Sequence, residues 1–211
     1  MSGQKIKRFI AVHDNFYEDP EEVTKYAQAM NYHKPLREEG YRSTKVYHPS
    51  GIKKRIEKCI GLPITYWSKD PADGNGVFYY SFSHGEYREV PAVHTDEHWN
   101  DITVLIYLTP NLPSNCGTSF WRHRLTGIED NPFLTDARNR GVSLRELRQI
   151  LTKDARCRDK WEEIDRISYC YNRMVAFTSG MYHSATDHYG SLNKDGRVFQ
   201  AFRIQVDWKN L

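Results

Sequence analysis

The chain has 211 residues, 39% of them hydrophobic, enough for one well-buried core and too few for two full domains. Its formal net charge is only +3, and Lys and Arg are interspersed with Asp and Glu, so no basic stripe marks a nucleic-acid partner. No apolar run approaches the roughly 20 residues of a membrane span and MSGQKIKRF has no signal-like hydrophobic region, so a cytoplasmic protein without a membrane partner is expected.

In chain order, FIAVHDNFY (9–17) reads as a strand. DPEEVTKYAQAM follows as a helix, with Asp19 as N-cap, Pro20 at the first helical position and Glu21 and Glu22 in the first turn. Val23, Tyr26, Ala27 and Met30 line one face of it. GIKKRIEKCIG is a second helix, with Ile52, Ile56 and Cys59 or Ile60 on one stripe and a stop at Gly61. Strand-like runs then take over: GVFYYSF, VPAVHTD, DITVLIYLT, CGTSFW, YNRMVAFTS and RVFQAFRIQVDW, each bounded by Gly, Pro, Asn or Ser. Six strands after two helices predict an antiparallel sandwich or barrel braced by helices on one face. Between CGTSFW and YNRMVAF, residues 122–166 are charged and helical in character, with a capping box at Ser143 and Glu146 ahead of Leu144, Leu147, Ile150 and Leu151. This stretch reads as an insertion between strands, either a solvated decoration or a substrate lid. Cys59, Cys116, Cys157 and Cys170 form no C-x-x-C and read as reduced thiols.

The segment AVHTDEHWND (92–101) carries the density of ligating side chains a metal site needs. His94, Glu97 and His98 fit an H-x-x-E-H metalloprotease pattern, but that requires a helix. Pro91 before it and the β-branched DITVLIYL after it leave room for little more than two turns. On an extended chain, by contrast, His94 and Asp96 point to the same side while Thr95 faces away. That is half of a 2-His-1-carboxylate triad, although an isolated H-x-D is equally a polar strand end. In that phase Glu97 falls on the wrong side and His98 lies past the strand end. Trp99 and Asp101 read as loop residues or supporting contacts. A distant histidine could complete the triad, and His183 follows the strand Met174–Thr178 and a Ser-Gly turn. Further on, Arg197, Phe199, Ala201 and Arg203 share a face of the last strand, and a guanidinium inside a small barrel needs an anion beside it.

These pieces, H-x-D at His94 and Asp96, ITVLIYLT, CGTSFW, NRMVAF, HSA at His183 and the strand-opening Arg197, resemble in their order the 2-oxoglutarate and Fe(II)-dependent dioxygenases, within them the prolyl-hydroxylase-like branch. The opening FIAVHDNFYEDPEEV is also typical of that branch. The resemblance implies a mainly β fold, a double-stranded β-helix (jelly roll, cupin-like) with N-terminal helices and a helical insertion. One domain would span 1–211, with supporting elements in 1–75, the jelly-roll core in 76–208 and the insertion in 122–166. It implies His94, Asp96 and His183 as Fe(II) ligands and catalytic centre, Arg197 and Tyr107 on the distal carboxylate of 2-oxoglutarate, and Tyr80, or its neighbour Tyr79, lining the cosubstrate or substrate side. Fe(II), 2-oxoglutarate and O2 would then hydroxylate a small-molecule or peptide substrate, releasing succinate and CO2. The stretch from His183 to Arg197 is longer than the family's usual spacing, which leaves Arg203 or Lys194 as alternative anchors. Two rival readings are a cupin-like metalloenzyme using His94, His183 and a third histidine such as His84 or His188, without 2-oxoglutarate, and a non-catalytic jelly-roll binding protein.

Overall fold

Asp19 caps the first helix: its Oδ1 accepts from the Glu22 amide at 2.9 Å, with Pro20 supplying the first helical residue of α1 (Pro20–Gln28). The second helix, α2 (Ile52–Ile60), stops where Gly61 turns left-handed at φ 71° and returns its amide to the Glu57 carbonyl. Both helices bury an apolar stripe, Val23 and Ala27 on one and Ile52, Ile56 and Ile60 on the other, against one face of a large sheet. The computed structural model describes residues 8–35, 40–96, 100–191 and 195–210.

Among the described residues, eleven strands make two antiparallel sheets. In chain order they are β1 (Ile10–His13), β2 (Tyr32–His33), β3 (Tyr41–Ser43), β4 (Ile64–Tyr66), β5 (Val77–Ser81), β6 (Ile102–Tyr107), β7 (Thr118–His123), β8 (Trp161–Ile167), β9 (Met174–Thr178), β10 (His183–Ala185) and β11 (Arg197–Val206). The large sheet runs β1-β9-β6-β11-β5-β3-β2, with β4 on the far end of β11; the small sheet runs β10-β7-β8. After β5 the chain passes to the small-sheet side at His94, returns for β6, crosses for β7 and β8, returns for β9, crosses for β10 and ends in the large sheet as β11. This is a mainly β, jelly-roll-like arrangement of two facing sheets.

The large sheet is covered on both faces, which explains why its central strands read as near-continuous apolar runs. Phe78, Tyr80, Val104, Ile106 and Phe202 face the helices, whereas Val77, Tyr79, Leu105, Tyr107 and Ala201 face the small sheet. Trp121, Ile128, Leu147, Leu151, Trp161 and Tyr182 form a separate cluster under the insertion.

Three local expectations change. VPAVHTD does not form a full strand; it contributes one bridge, His94 to His183. The insertion is helical only in α3 (Leu134–Arg138), α4 (Leu144–Asp154) and a 3-10 turn at Arg158–Lys160, because residues 122–123 belong to β7 and 161–166 to β8, which pair as a hairpin. WEEIDRI is charged because much of β8 is only half-buried or exposed at the sheet edge, and that charge conceals its strand character. Finally, β2, β3 and β4 are too short to leave a periodic signal. No helix among the described residues is long and apolar enough to cross a membrane.

Candidate metal centre and its cavity

The bridge between His94 and His183 is a reciprocal backbone pair, 2.9 Å from the His94 amide to the His183 carbonyl and 2.8 Å in return. Two residues on, the Asp96 amide donates to the Ser179 carbonyl at 3.0 Å. These three bonds tie the His94–Asp96 segment to the turn after β9 and to β10, and the three side chains converge: one ligating atom from each of His94, Asp96 and His183 lies within 4.8 Å of the others. His94 Nε2 is 3.9 Å from Asp96 Oδ1, and His183 Nε2 is 3.6 Å from Asp96 Oδ2. Two ligands on one ion with bonds of about 2.0–2.2 Å can stand no more than about 4.4 Å apart, so the separations of 3.9 and 3.6 Å fit a shared cation.

The chemistry of the donors fits as well. His94 Nδ1 lies 2.9 Å from the Ala92 carbonyl, and His183 Nδ1 lies 2.9 Å from the Met181 carbonyl. A carbonyl can only accept, so each Nδ1 carries a hydrogen, and in the neutral ring this tautomer turns the Nε2 lone pair toward the site. Burial pushes the His183 ring down to about 4, against the pull of Asp96, so it is neutral at physiological pH. Burial alone would raise the Asp96 carboxyl; His183, Arg203, His94 and the Thr103 hydroxyl outweigh it and hold it below its ordinary value. The centre thus offers two imidazole Nε2 atoms, that of His183 on a neutral ring, and a carboxylate. Arg203 Nη2 sits 3.8 Å from Asp96 Oδ1, and Thr103 donates to Oδ2. Behind Thr103, Ser179 Oγ lies 3.1 Å from its hydroxyl and Asn100 donates to both, so Asp96 is held in one orientation by a connected polar set.

The triad borders a cavity of about 500 Å³ between the sheets. Arg197, Phe199, Ala201 and Arg203 all line it, as period two along β11 requires. Arg203 stands at the metal end, and six residues of strand, about 20 Å, separate its backbone from that of Arg197. Arg197 is 2% exposed. Its Nε donates to the Cys116 carbonyl at 2.7 Å and its Nη2 to the Gly117 carbonyl at 3.3 Å, while its plane lies over Phe199 and Tyr107. Gly117 can lie this close to β8 because it has no side chain: a Cβ there would run into the Ile167 carbonyl. Among the described residues no carboxylate pairs with Arg197, so a buried cation faces the cavity held by backbone carbonyls and the Tyr107 hydroxyl.

The remaining expected residues fall as follows. Tyr107 points toward this end, its hydroxyl 2.7 Å from Thr118 Oγ1 and hydrogen-bonded to Arg197 as well, and Thr118 lines the cavity. Tyr80 is a correction: it packs against Tyr32 and Phe82 on the helix side of the sheet, and Tyr79, one residue away, lines the cavity instead. His84 is exposed and outside the cavity; His188 lines it but is no part of the three-residue cluster. Asp101 binds the Val206 amide and has a structural role at the end of β11. Glu97, His98, Trp99 and Lys194 lie outside the described residues. Sequence reasoning missed Thr103 and Ser81, both of which line the cavity. Thr103 could have been found, since it shares strand parity with Leu105 and Tyr107. The wall formed by Leu151, Thr152, Ala155 and Arg156, at and after the end of α4, could not, because it depends on where the insertion folds back.

No curated protein matches the chain. Among solved structures, HygX from Streptomyces hygroscopicus, with nickel and 2-oxoglutarate bound, is similar at TM-score 0.48 and 11% identity, over 95% of this chain and 84% of that one. The sequence model described as "Family of unknown function (DUF6445)" matches residues 3–197, and the chain belongs to that family.

Proposed function

We propose that this protein is a 2-oxoglutarate-dependent non-haem iron oxygenase of the double-stranded β-helix type, within the prolyl-hydroxylase-like branch, and that it hydroxylates a small-molecule or peptide substrate. The observation that carries the reading is the pairing of two sites in one cavity: two imidazole Nε2 atoms and a carboxylate converge at one, and a buried guanidinium with no acidic partner among the described residues waits at the other. His94, Asp96 and His183 would hold Fe(II) by one face, leaving positions open. Arg197, fixed by its two carbonyl contacts, would take the distal carboxylate of 2-oxoglutarate. What bound Fe(II) and 2-oxoglutarate would supply, with O2, is oxidative decarboxylation to succinate and CO2 coupled to insertion of one oxygen atom into a C–H bond of the substrate.

The protein's own contribution is orientation. The Nδ1–carbonyl bonds fix both imidazole planes, Thr103 and Arg203 fix the carboxylate, and the sheets exclude water from the Arg197 end. Residues 151–156 close one side of the cavity, which supports a role for the insertion over the substrate. A cupin-like centre with a third histidine is less well supported, because the only such cluster among the described residues contains Asp96.

The test is anaerobic addition of Fe(II) and 2-oxoglutarate, read as a weak visible charge-transfer band, followed by succinate release on admitting O2. Both signals should appear in the wild type and vanish in Asp96→Asn. A wild-type protein that binds Fe(II) but gives no band with 2-oxoglutarate defeats the reading.

A further inference from the structure

The insertion carries a charge asymmetry that the chemistry proposed above does not use. Residues 134–160 hold eight Lys and Arg against four Asp and Glu, a net +4 in a chain whose total is +3. In sequence Glu146 and Asp154 lie among these cations, but the turn of α4 separates them. Glu146 closes the capping box on Ser143, and Asp154 Oδ2 lies 3.1 Å from the buried His123 ring. While Leu147 and Leu151 face the core, Arg145, Arg148, Gln149, Thr152 and Lys153 are exposed and line an open groove. Among the described residues Arg140 pairs with Asp136, whereas Arg145, Arg148 and Lys153 have no carboxylate partner. A solvated helix face is ordinarily stabilised by opposite charges three or four residues apart. Here those spacings hold Arg145 with Arg148 and Lys153 with Arg156, like charges whose repulsion an anionic ligand would relieve.

This groove leads into the metal cavity. Thr152 lines both, and Arg156, four residues on, lines the cavity. Burial pushes the Tyr182 hydroxyl up to about 12 against the pull of Arg148, so the groove's central cation lies close to a residue of the cavity wall. From Arg145 to Lys153 the helix rises about 12 Å, the span of about four residues of extended chain. A small anion would use one end of such a stripe; an extended polyanion uses all of it. A nucleic-acid strand also needs aromatic surfaces on which its bases stack, and none of the described groove residues is aromatic. We propose that the groove on α4 is a docking surface for an acidic peptide segment, from which an adjoining residue enters the metal cavity past Thr152 as the group to be oxidised. This rests on the function proposed above and narrows its substrate class to polypeptide.

The experiment is fluorescence anisotropy of a labelled peptide of about ten residues, alternating glutamate and alanine, titrated with the metal-free full chain. A peptide alternating glutamine and alanine and a thymidine oligonucleotide of similar length are the comparisons. The glutamate peptide should bind tighter than either, and high salt should abolish the preference. Arg145→Glu, Arg148→Glu and Lys153→Glu together should weaken it about tenfold. Lys25→Glu, Lys54→Glu and Lys58→Glu together, which reverse the same charge on α1 and α2 across the large sheet, should not. Equal losses in the two variants overturn the proposal, since they mark attraction to net charge alone. So does equal binding of the glutamate and glutamine peptides, or tighter binding of the oligonucleotide. With Mn(II) in the triad, the alanine methyl lines of the bound peptide should broaden; lines that stay sharp put the peptide away from the cavity and overturn the proposal as well. Because the anisotropy needs neither metal nor 2-oxoglutarate, lost peptide binding with the visible charge-transfer band intact tells against the docking surface alone, and a missing band with peptide binding intact against the oxygenase reading.

Discussion

Replacing Arg197 with methionine is the most direct probe of the cavity. Methionine keeps much of the length and apolar volume of the arginine stem and removes the charge. It also removes the bonds to the Cys116 and Gly117 carbonyls, at 2.7 and 3.3 Å. Those bonds go to backbone, so their loss bears on the local structure of the β7 entry. The effect on ligand comes from the charge, which among the described residues has no carboxylate to neutralise it. A charge-assisted hydrogen bond contributes about 1.5–3 kcal/mol. With about 1.4 kcal/mol for each tenfold change, the loss of affinity for 2-oxoglutarate should be about one to two decades. Metal affinity should hardly move, because Arg197 hydrogen-bonds the Cys116 and Gly117 carbonyls and none of the three ligands, whereas it is Arg203 that sits 3.8 Å from Asp96 Oδ1. Stability should not collapse either, since exchanging a buried charge for a well-packed apolar residue is often neutral. The assay is titration of 2-oxoglutarate into Ni(II)-loaded protein, with metal affinity measured separately by competition and Arg203→Met as control. Unchanged 2-oxoglutarate affinity in Arg197→Met, or a loss confined to Arg203→Met, would refute the assignment of the anchor.

Asp96→Asn removes the carboxylate from a buried centre and leaves two imidazoles, so Ni(II) or Fe(II) affinity measured by competition should fall at least tenfold while the far-ultraviolet circular dichroism is retained. The His188 ring is held down to about 3, first by burial and then by Arg197. The unfolded chain therefore binds a proton below about pH 6.5 that the folded protein refuses down to about pH 3, so stability rises with pH across that window and is lost as pH falls through it. Between pH 7 and pH 5 this contribution is about 2 kcal/mol, and metal-free His188→Gln should lose that much less than wild type by denaturant unfolding; equal losses would contradict the assignment. Leu147 is fully buried in the insertion's own cluster, so Leu147→Ala should remove about 2–5 kcal/mol of local stability. Amide exchange should then speed up in α4 and hold steady in β6, β9 and β11; uniform acceleration would show that the insertion is not a separate unit.

The sequence by itself determined the elements whose physics is local. Asp19, Pro20 and Gly61 set the ends of the first two helices, Ser143 and Glu146 capped α4, and the β-branched runs at 102–107, 174–178 and 197–206 became strands because each can be recognised within its own few residues. The phase of β11 was equally legible: Arg197, Phe199, Ala201 and Arg203 line one cavity because a strand alternates whatever it packs against. Tertiary structure decided which face was which. The central strands are covered on both sides, so apolar residues on either face look alike in sequence, and the choice between Tyr79 and Tyr80 had no local signal. It also decided that VPAVHTD would be held at one bridge, with the His94 and Asp96 amides tied to chain some 85 residues away, and that β8 would emerge from a charged stretch by pairing with β7. The placing of Ser81 opposite Arg197 belongs to the same class. Nothing within β5 marks that serine, and its position depends on a register with a strand more than a hundred residues distant, fixed only when both sheets have closed.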